Sequence, residues 1–273
     1  MLISRKGKWG LRAVALLYLL LLLILPVVVV FLKTFEHGFG TAWSYMTTPA
    51  AISALSLSIL MAIVAVPLNT IFGIGAALIL VRGRHRRLAA LLDAFIDLPF
   101  LVSPVIVGLA LTLVYGIHGW FGSWFAGRGV QIIFAPTGMI LATVFVSLPF
   151  VVREVAPVLA EVGDEQEQAA ATLGASGWQT FRRITLPSIR WGVLYGVILS
   201  TARALGEIGA VLVVSSLVAG STLTLPLLVY ERTQNPGPGG VTGAYAAATE
   251  LAVISLVVLL AMTLLSPRRT ESK

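Results

Sequence analysis

Six apolar runs, each long enough to cross a lipid bilayer, constrain this chain more than any other feature of its sequence. They cover residues 13–32, 55–81, 94–116, 137–158, 191–217 and 244–265. A bilayer core requires about 20 apolar residues of helix. Backbone N–H and C=O groups find no water there, so a spanning segment must satisfy them internally, as a helix does. The sequence therefore predicts an all-α protein, a polytopic membrane bundle of six spans.

The composition leaves no room for a separate soluble domain. The chain is 58% hydrophobic and 11% charged, whereas soluble proteins carry about 25% charged residues. No stretch outside the runs is long enough to build its own core, so residues 1–273 are predicted to form a single transmembrane domain. The first run could also belong to a signal peptide. Because Lys33-Thr34-Phe35-Glu36 follows it in place of a small-residue cleavage site, we interpret it as an uncleaved span.

The distribution of basic residues predicts the orientation of the chain. A net charge of +7 could suggest a nucleic-acid partner, but most Lys and Arg residues cluster at alternate ends of the runs. These clusters contain Arg5, Lys6, Lys8, Arg12, Arg82, Arg84, Arg86, Arg87, Arg153, Arg182, Arg183, Arg190, Arg268, Arg269 and Lys273. Lys33, Arg128 and Arg232 lie on the opposite side. The positive-inside rule then predicts a cell-membrane protein with both termini, and the segment between the fourth and fifth runs, in the cytoplasm.

That segment, residues 161–187, has the pattern of two short helices, and we call it the elbow. Good helix formers with early acidic residues predict a first helix over residues 165–173. Gly174 can end this helix with positive φ. Ser176 can cap a second helix, with Gln179 as its reciprocal partner. Pro187 is predicted either to stop that helix or to start the next one.

The spacing inside the elbow resembles the coupling loop of permease subunits of ABC importers, the "EAA" signature. The positions assigned to this loop are Gln168, Ala169, Ala170, Gly174, Ser176, Trp178, Phe181, Ile184, Leu186 and Pro187. The chain departs from the signature at Gln168, because its glutamate, Glu167, lies one residue earlier. The resemblance implies that the second helix docks on a cytoplasmic ATPase, where Trp178 and Phe181 can share a face. The alternative is an ordinary helical hairpin on the membrane surface.

Two charges lie inside the fifth run, Arg203 and Glu207. Charges within the bilayer are costly and usually face a bundle interior or an aqueous path. Their i, i+4 spacing places them on one helix face. They form either an internal ion pair that locks the span or a pathway element that meets an anion in transit.

Other local features have simpler interpretations. Pro67 and Asn69 interrupt the second run, and we interpret them as a kink whose polar groups bond to a neighbouring helix, with a substrate site as the alternative. Pro49 is predicted to open a short surface helix before that run. Four aromatic residues between the third and fourth runs predict an interfacial belt or a short helix on the membrane. They are Trp120, Phe121, Trp124 and Phe125.

The sequence contains no catalytic or metal-binding pattern. The phosphate-binding motif G-x-x-x-x-G-K-[ST] is absent. His37, His85 and His118 lie in separate loops and lack metal-ligand spacing. We therefore predict that the chain is not an enzyme, and that a partner supplies any ATP hydrolysis.

A wider resemblance covers residues 13–265. The sequence Ala-Arg-Ala-Leu-Gly-Glu-Ile-Gly-Ala at 202–210 is similar to the W-type permease subunits of sulfate/thiosulfate ABC importers (CysW-like). Further matching segments are 97–100, 103–108, 148–155, 177–181, 187–192, 194–196 and 224–227. Molybdate permeases share the same larger family.

This resemblance implies a type I ABC importer permease fold and a pathway shared with a homologous T-type permease. It also implies two cytoplasmic ATPase subunits, an extracytoplasmic sulfate-binding protein, and ATP and Mg²⁺ on the ATPase with no cofactor in this chain. Three alternatives stay open: a molybdate or tungstate permease, an ion-coupled secondary transporter and a structural scaffold.

Overall fold

The computed structural model describes residues 5–83, 85–237 and 241–265, and all regular structure in these residues is helical. The α-helices are α1 (Arg5–Leu19), α2 (Leu25–Phe35), α3 (Phe39–Met46), α4 (Pro49–Arg82), α5 (Arg86–Leu101), α6 (Pro104–Tyr115), α7 (Gly122–Ala126), α8 (Pro136–Val162), α9 (Glu165–Thr172), α10 (Gly177–Thr180), α11 (Leu186–Ser188), α12 (Arg190–Leu205), α13 (Gly209–Val214), α14 (Leu225–Gln234) and α15 (Thr242–Leu265). Two π-helical turns, Leu20–Ile24 and Phe181–Thr185, join α1 to α2 and α10 to α11. The predicted all-α class is confirmed.

Four continuous helical segments in the described residues are long and apolar enough to cross a membrane. They are Val14–Phe35, Pro49–Arg82, Pro136–Val162 and Thr242–Leu264. These segments match the first, second, fourth and sixth predicted spans. Some residues used to predict the orientation, Arg84, Arg268, Arg269 and Lys273, lie outside the described part of the chain.

The predicted third span, residues 94–116, is not one continuous helix. This region consists of α5 and α6, which meet at an angle of 111°. Val102 and Ser103 are extended between them, with ψ of 134° and 136°. Pro104 explains the break, because proline disfavours a helical conformation in the preceding residue and has no N–H to donate.

The predicted fifth span, residues 191–217, is also interrupted. Helix α12 ends at Leu205, and α13 begins only at Gly209. Between them the Glu207 side chain accepts a 2.8 Å hydrogen bond from the N–H of Ala210, so it satisfies the start of α13. The described residues thus contain four continuous spans, or five if α5 and α6 count as one.

Helix α4 begins earlier than expected. The Thr48 hydroxyl accepts a 3.2 Å hydrogen bond from the N–H of Ala51, and Pro49 occupies the first helical position. Both residues are typical of a helix start. The predicted separate surface helix at Pro49 is therefore wrong, because this segment is the first turn of a 34-residue helix.

Three helices meet at Val151, a fully buried residue of α8. A Cβ added to Gly73 of α4 would lie 2.7 Å from the Val151 Cβ. A Cβ added to Gly196 of α12 would lie 2.8 Å from the Val151 Cα. Glycines thus allow α4, α8 and α12 to approach closely, as small residues do in membrane bundles.

The amide nitrogen of the polar notch in α4 bonds to α8, as the sequence indicated, whereas the buried Asn69 Oδ1 has no partner among the described residues. The Asn69 amide donates to the carbonyl of Val144 at 3.1 Å and to the hydroxyl of Ser147 at 2.8 Å. Buried polar groups require such partners, so Asn69 connects the two long helices.

The short helices beyond the two breaks pack on each other. A Cβ added to Gly108 of α6 would lie 2.5 Å from the carbonyl oxygen of Ala210 in α13. One added to Gly209 would lie 2.9 Å from the Pro104 Cβ. This close packing brings both helix breaks to one place in the bundle.

The predicted short helix in the aromatic loop is α7, at Gly122–Ala126. Trp120 and Trp124 are exposed, and the Arg128 guanidinium lies 3.7 Å from the centre of the Trp124 ring. That α7 lies on a membrane surface stays a prediction.

Candidate functional site

The first half of the elbow folds as the sequence predicted. Helix α9 spans Glu165–Thr172 and is followed by Gly174, whose φ is +82°. The N–H of Ala175 donates to the carbonyl of Ala170 at 3.0 Å, which satisfies the helix end in the manner of a glycine-terminated helix. This left-handed residue redirects the chain into the second half.

A capping box starts the second half. The Ser176 hydroxyl accepts from the N–H of Gln179 at 3.4 Å, and the Gln179 side chain accepts from the N–H of Ser176 at 2.9 Å. Both hydrogen bonds of the predicted pair are therefore present, and they define where α10 begins.

Pro187 starts a helical segment, which was one of the two predicted alternatives. It is the second residue of α11, directly after the π-helical turn Phe181–Thr185. Hydrogen bonds in such a turn run from residue i to i+5, and Pro187 has no N–H to donate. The second half of the elbow is therefore helical without interruption from Gly177 to Ser188.

The elbow presents large apolar side chains on its surface. Leu173 is 89% exposed and Trp178 is 68% exposed. The Trp178 and Phe181 rings stack with centroids 5.5 Å apart, so these two residues share a face as predicted. Such an apolar surface is typical of an interaction site.

The other assigned elbow residues divide between surface and interior. Gln168, Ala169 and Pro187 are exposed, whereas Ala170 is buried. Ile184 and Leu186 are half-buried. The side chains that join the two halves of the elbow, Glu167 and Thr185, are not among the assigned residues.

Glu167 is the elbow residue that sequence reasoning left out of the site. Its Oε2 lies 3.1 Å from the Arg82 Nε, and its Oε1 accepts a 2.7 Å hydrogen bond from the Thr185 hydroxyl. We call Arg82, Glu167 and Thr185 the elbow clamp. The sequence did contain a signal for this residue, because Glu167 lies one position before Gln168, where the coupling-loop signature has its glutamate.

Arg82 also holds the end of α8. Its guanidinium donates to the carbonyl of Leu159 at 3.2 Å and to the carbonyl of Gly163. The clamp therefore joins α4, α8 and both halves of the elbow.

Arg203 and Glu207 form an ion pair, which is a feature of one of the two alternatives that the sequence left open. The Arg203 Nη1 and Glu207 Oε2 atoms are 2.6 Å apart, although Glu207 lies beyond the end of α12. The Glu207 side chain is 1% exposed and that of Arg203 is 29% exposed. The carboxylate is therefore enclosed, while the guanidinium remains accessible.

Arg203 borders a cavity of about 390 Å³ at the break between α5 and α6. Its other lining residues are Pro99, Phe100, Leu101, Val102, Ser103, Pro104, Val146 and Phe150. Among the described contacts, the one polar partner of Arg203 is Glu207. The remaining guanidinium N–H groups can donate to an anion, since arginine carries five donors.

A second charged cluster connects α5 to α8. The Arg153 Nη2 lies 2.8 Å from Asp93 Oδ1 and 2.6 Å from Asp97 Oδ1. No group of three or more His, Asp or Glu in the described part of the chain is arranged to hold a metal ion.

Comparison with known proteins gives consistent matches. Residues 69–271 match the family described as "Binding-protein-dependent transport system inner membrane component". The chain is 48% identical to the sulfate transport system permease protein CysW of Synechocystis sp., over 98% of this chain and 96% of that protein. It is 42% identical to CysW of Escherichia coli K12, over 92% and 86% of the two chains. Identity to CysT of Synechocystis sp. is 38%, over 92% and 87%.

The fold is also found in a solved importer. The chain superposes with a TM-score of 0.80 on a bacterial ABC transporter involved in import of the polysaccharide alginate, at 18% identity, covering 97% of this chain and 98% of that one. That transporter was also solved in complex with an alginate-bound periplasmic protein.

Proposed function

Because the chain belongs to the family of binding-protein-dependent transport system inner membrane components, we propose that it is the W-type permease subunit of an ATP-driven sulfate importer. Identities of 48% and 42% to two CysW proteins, against 38% to a CysT protein, support the W type. The names of these relatives support sulfate as the substrate, with thiosulfate as a second oxyanion to be tested.

The observation that carries the importer mechanism is the geometry of the elbow. Its second half is a capped helical segment on which the exposed ring of Trp178 stacks on the partly buried ring of Phe181. Exposed Trp and Leu side chains are unfavourable in water, and their burial by a partner protein is favourable. We propose that a cytoplasmic ATPase subunit binds this face and moves the elbow as a lever between α8 and α12. The elbow residues assigned from the sequence are proposed to form this coupling site.

The complete transporter is proposed to contain four membrane-associated subunits. This chain pairs with a homologous T-type permease, and each permease binds one ATPase subunit, which holds ATP and Mg²⁺. An extracytoplasmic binding protein delivers the anion. No cofactor is assigned to this chain.

We further propose that residues 1–273 form one permease domain with cytoplasmic termini. The basic clusters support this orientation through the positive-inside rule. This orientation rests on six crossings in total. The two crossings beyond the four continuous spans would come from the broken α5–α6 and α12–α13 segments.

Arg203 is proposed to contact the anion in transit, with Glu207 fixing its position. Its accessible guanidinium borders the cavity at the α5–α6 break, and guanidinium groups bind oxyanions through paired N–H donors. Intramembrane charges are typically found at such pathways.

The proposed function is tested by reconstitution of the complete complex in vesicles with the binding protein outside and ATP inside. We expect ATP-dependent uptake of labelled sulfate that unlabelled molybdate does not reduce at equal concentration. Uptake of labelled molybdate in preference to sulfate would refute the sulfate assignment. Uptake that is driven by an ion gradient without ATP would refute the importer assignment.

A further inference from the structure

The elbow clamp connects parts of the chain that are far apart in sequence. Arg82 is the last residue of α4, whereas Glu167 and Thr185 lie in the two halves of the elbow. We propose that this clamp transmits the movement of the elbow to α4, with its three members acting as positioning residues. The inference rests on the proposed function, because it takes the elbow to be the part that an ATPase moves.

Covalent connections alone would not deliver elbow motion to α4. The elbow continues directly from α8 and into α12, but α4 is followed by α5. A force on the elbow reaches α4 only through non-covalent contacts. Besides the packing of α4 on α8 and α12, the Arg82 guanidinium contacts the elbow itself, since it binds the Glu167 carboxylate and the Gly163 carbonyl. It also binds the carbonyl of Leu159 at the end of α8.

Glu167 also holds the two halves of the elbow together. One carboxylate oxygen pairs with Arg82 and the other accepts from Thr185. Thr185 is buried, and the paired side chains of Arg82 and Glu167 are only 21% and 22% exposed. Limited exposure reduces solvent screening compared with a surface pair. The elbow and the end of α4 should therefore move as one unit.

The position of the glutamate agrees with this internal role. Successive residues of an α-helix point about 100° apart. Glu167 faces Arg82, whereas its neighbour Gln168 is exposed. A glutamate at position 167 is thus directed into the permease, and one at position 168 would be directed to the surface.

Glu167→Gln tests the clamp in the complete complex, with its ATPase, in lipid nanodiscs and vesicles. Glutamine keeps an oxygen that can accept from Thr185 but removes the charge that pairs with Arg82. We expect the number of ATP molecules hydrolysed per sulfate imported to rise about fivefold or more, in line with loss of a partly buried ion pair. The matched control is Glu165→Gln, an exposed position on the same helix, which should leave this ratio unchanged.

Distance measurements provide a readout that does not depend on the substrate. The chain has no cysteine, so spin labels can be attached through Gln166→Cys in the elbow and Ile79→Cys on α4. Both positions are exposed, and neither belongs to the proposed ATPase-binding face. We expect a single narrow distance distribution in the parent and in Glu165→Gln, and a broadened or split distribution in Glu167→Gln.

An unchanged ATP-to-sulfate ratio or an unchanged distance distribution in assembled Glu167→Gln complexes would overturn the inference. If that variant fails to assemble, Thr185→Val, which removes only the second arm of the clamp, is judged by the same two measurements. If the parent complex does not import sulfate, the proposed function fails, and the distance distribution alone decides the clamp.

Discussion

Replacement of Gly73 by alanine tests how closely α4 and α8 approach. The added Cβ would lie 2.7 Å from both the Cβ and the Cγ1 of Val151. Favourable carbon–carbon contacts are about 3.5–4.0 Å long, so the atoms must separate by roughly 1 Å. Val151 has no free space behind it, because the Gly196 position of α12 abuts its Cα. We expect this overpacking to cost about 2 kcal/mol.

Gly75→Ala is the matched control for this change. It lies in the same helix, and a Cβ there meets no atom within 4 Å. Both substitutions gain about 1 kcal/mol from the higher helix propensity of alanine. This gain cancels between the variants, so Gly73→Ala should be less stable than Gly75→Ala by about 2 kcal/mol.

Thermal unfolding of the purified permease chain, followed by tryptophan fluorescence in one detergent, measures this difference. About 2 kcal/mol corresponds to a Tm that is roughly 4–8 °C lower for Gly73→Ala than for Gly75→Ala. Equal Tm values for the two variants, or a higher Tm for Gly73→Ala, would refute the close approach of α4 to α8.

Four further predictions concern the elbow and the ion pair. Ser176→Ala removes the cap on the Gln179 N–H and should destabilise the start of α10 by about 1 kcal/mol, seen as a higher ATP-to-sulfate ratio. Trp178→Ala removes the exposed ring of the stacked aromatic pair, so ATP hydrolysis should persist while sulfate uptake falls about tenfold or more. Coupled transport at the parent rate would contradict the lever. Arg203→Gln should lower uptake per assembled complex about tenfold or more, as expected for loss of a charged anion contact. Glu207→Gln keeps an oxygen that can accept from the Ala210 N–H but removes the charge that pairs with the Arg203 guanidinium. If this change impairs assembly and leaves transport intact, the ion pair is structural and the pathway proposal fails.

Local sequence rules predicted the elbow almost completely. The helix break at Gly174, the capping box of Ser176 and the shared face of Trp178 and Phe181 depend on residues within a few positions of each other. The glycine has no Cβ to oppose positive φ, and a cap bonds to an N–H three residues away. Such interactions form within a short segment, whatever surrounds it.

The two broken spans show where sequence reasoning failed. Hydropathy depends on the number of apolar side chains and carries no information on backbone conformation. An apolar run that bends at Ser103 or is interrupted at Gly206 therefore has the same hydropathy as a straight helix. Pro104 was a usable signal for the first break. For the second break, the Glu207 carboxylate bonds to the start of α13, which its i, i+4 spacing from Arg203 did not reveal.

The sequence alone determined that this chain is a helical membrane protein with a structured elbow, because bilayer length, backbone hydrogen bonding and helix capping act over short stretches. Only the tertiary structure decided which distant groups meet. It placed Arg82 against Glu167, Gly73 and Gly196 against Val151, and Arg203 beside the α5–α6 break. These contacts join residues on different helices, so their formation depends on how the helices pack and cannot be read from spacing along the chain.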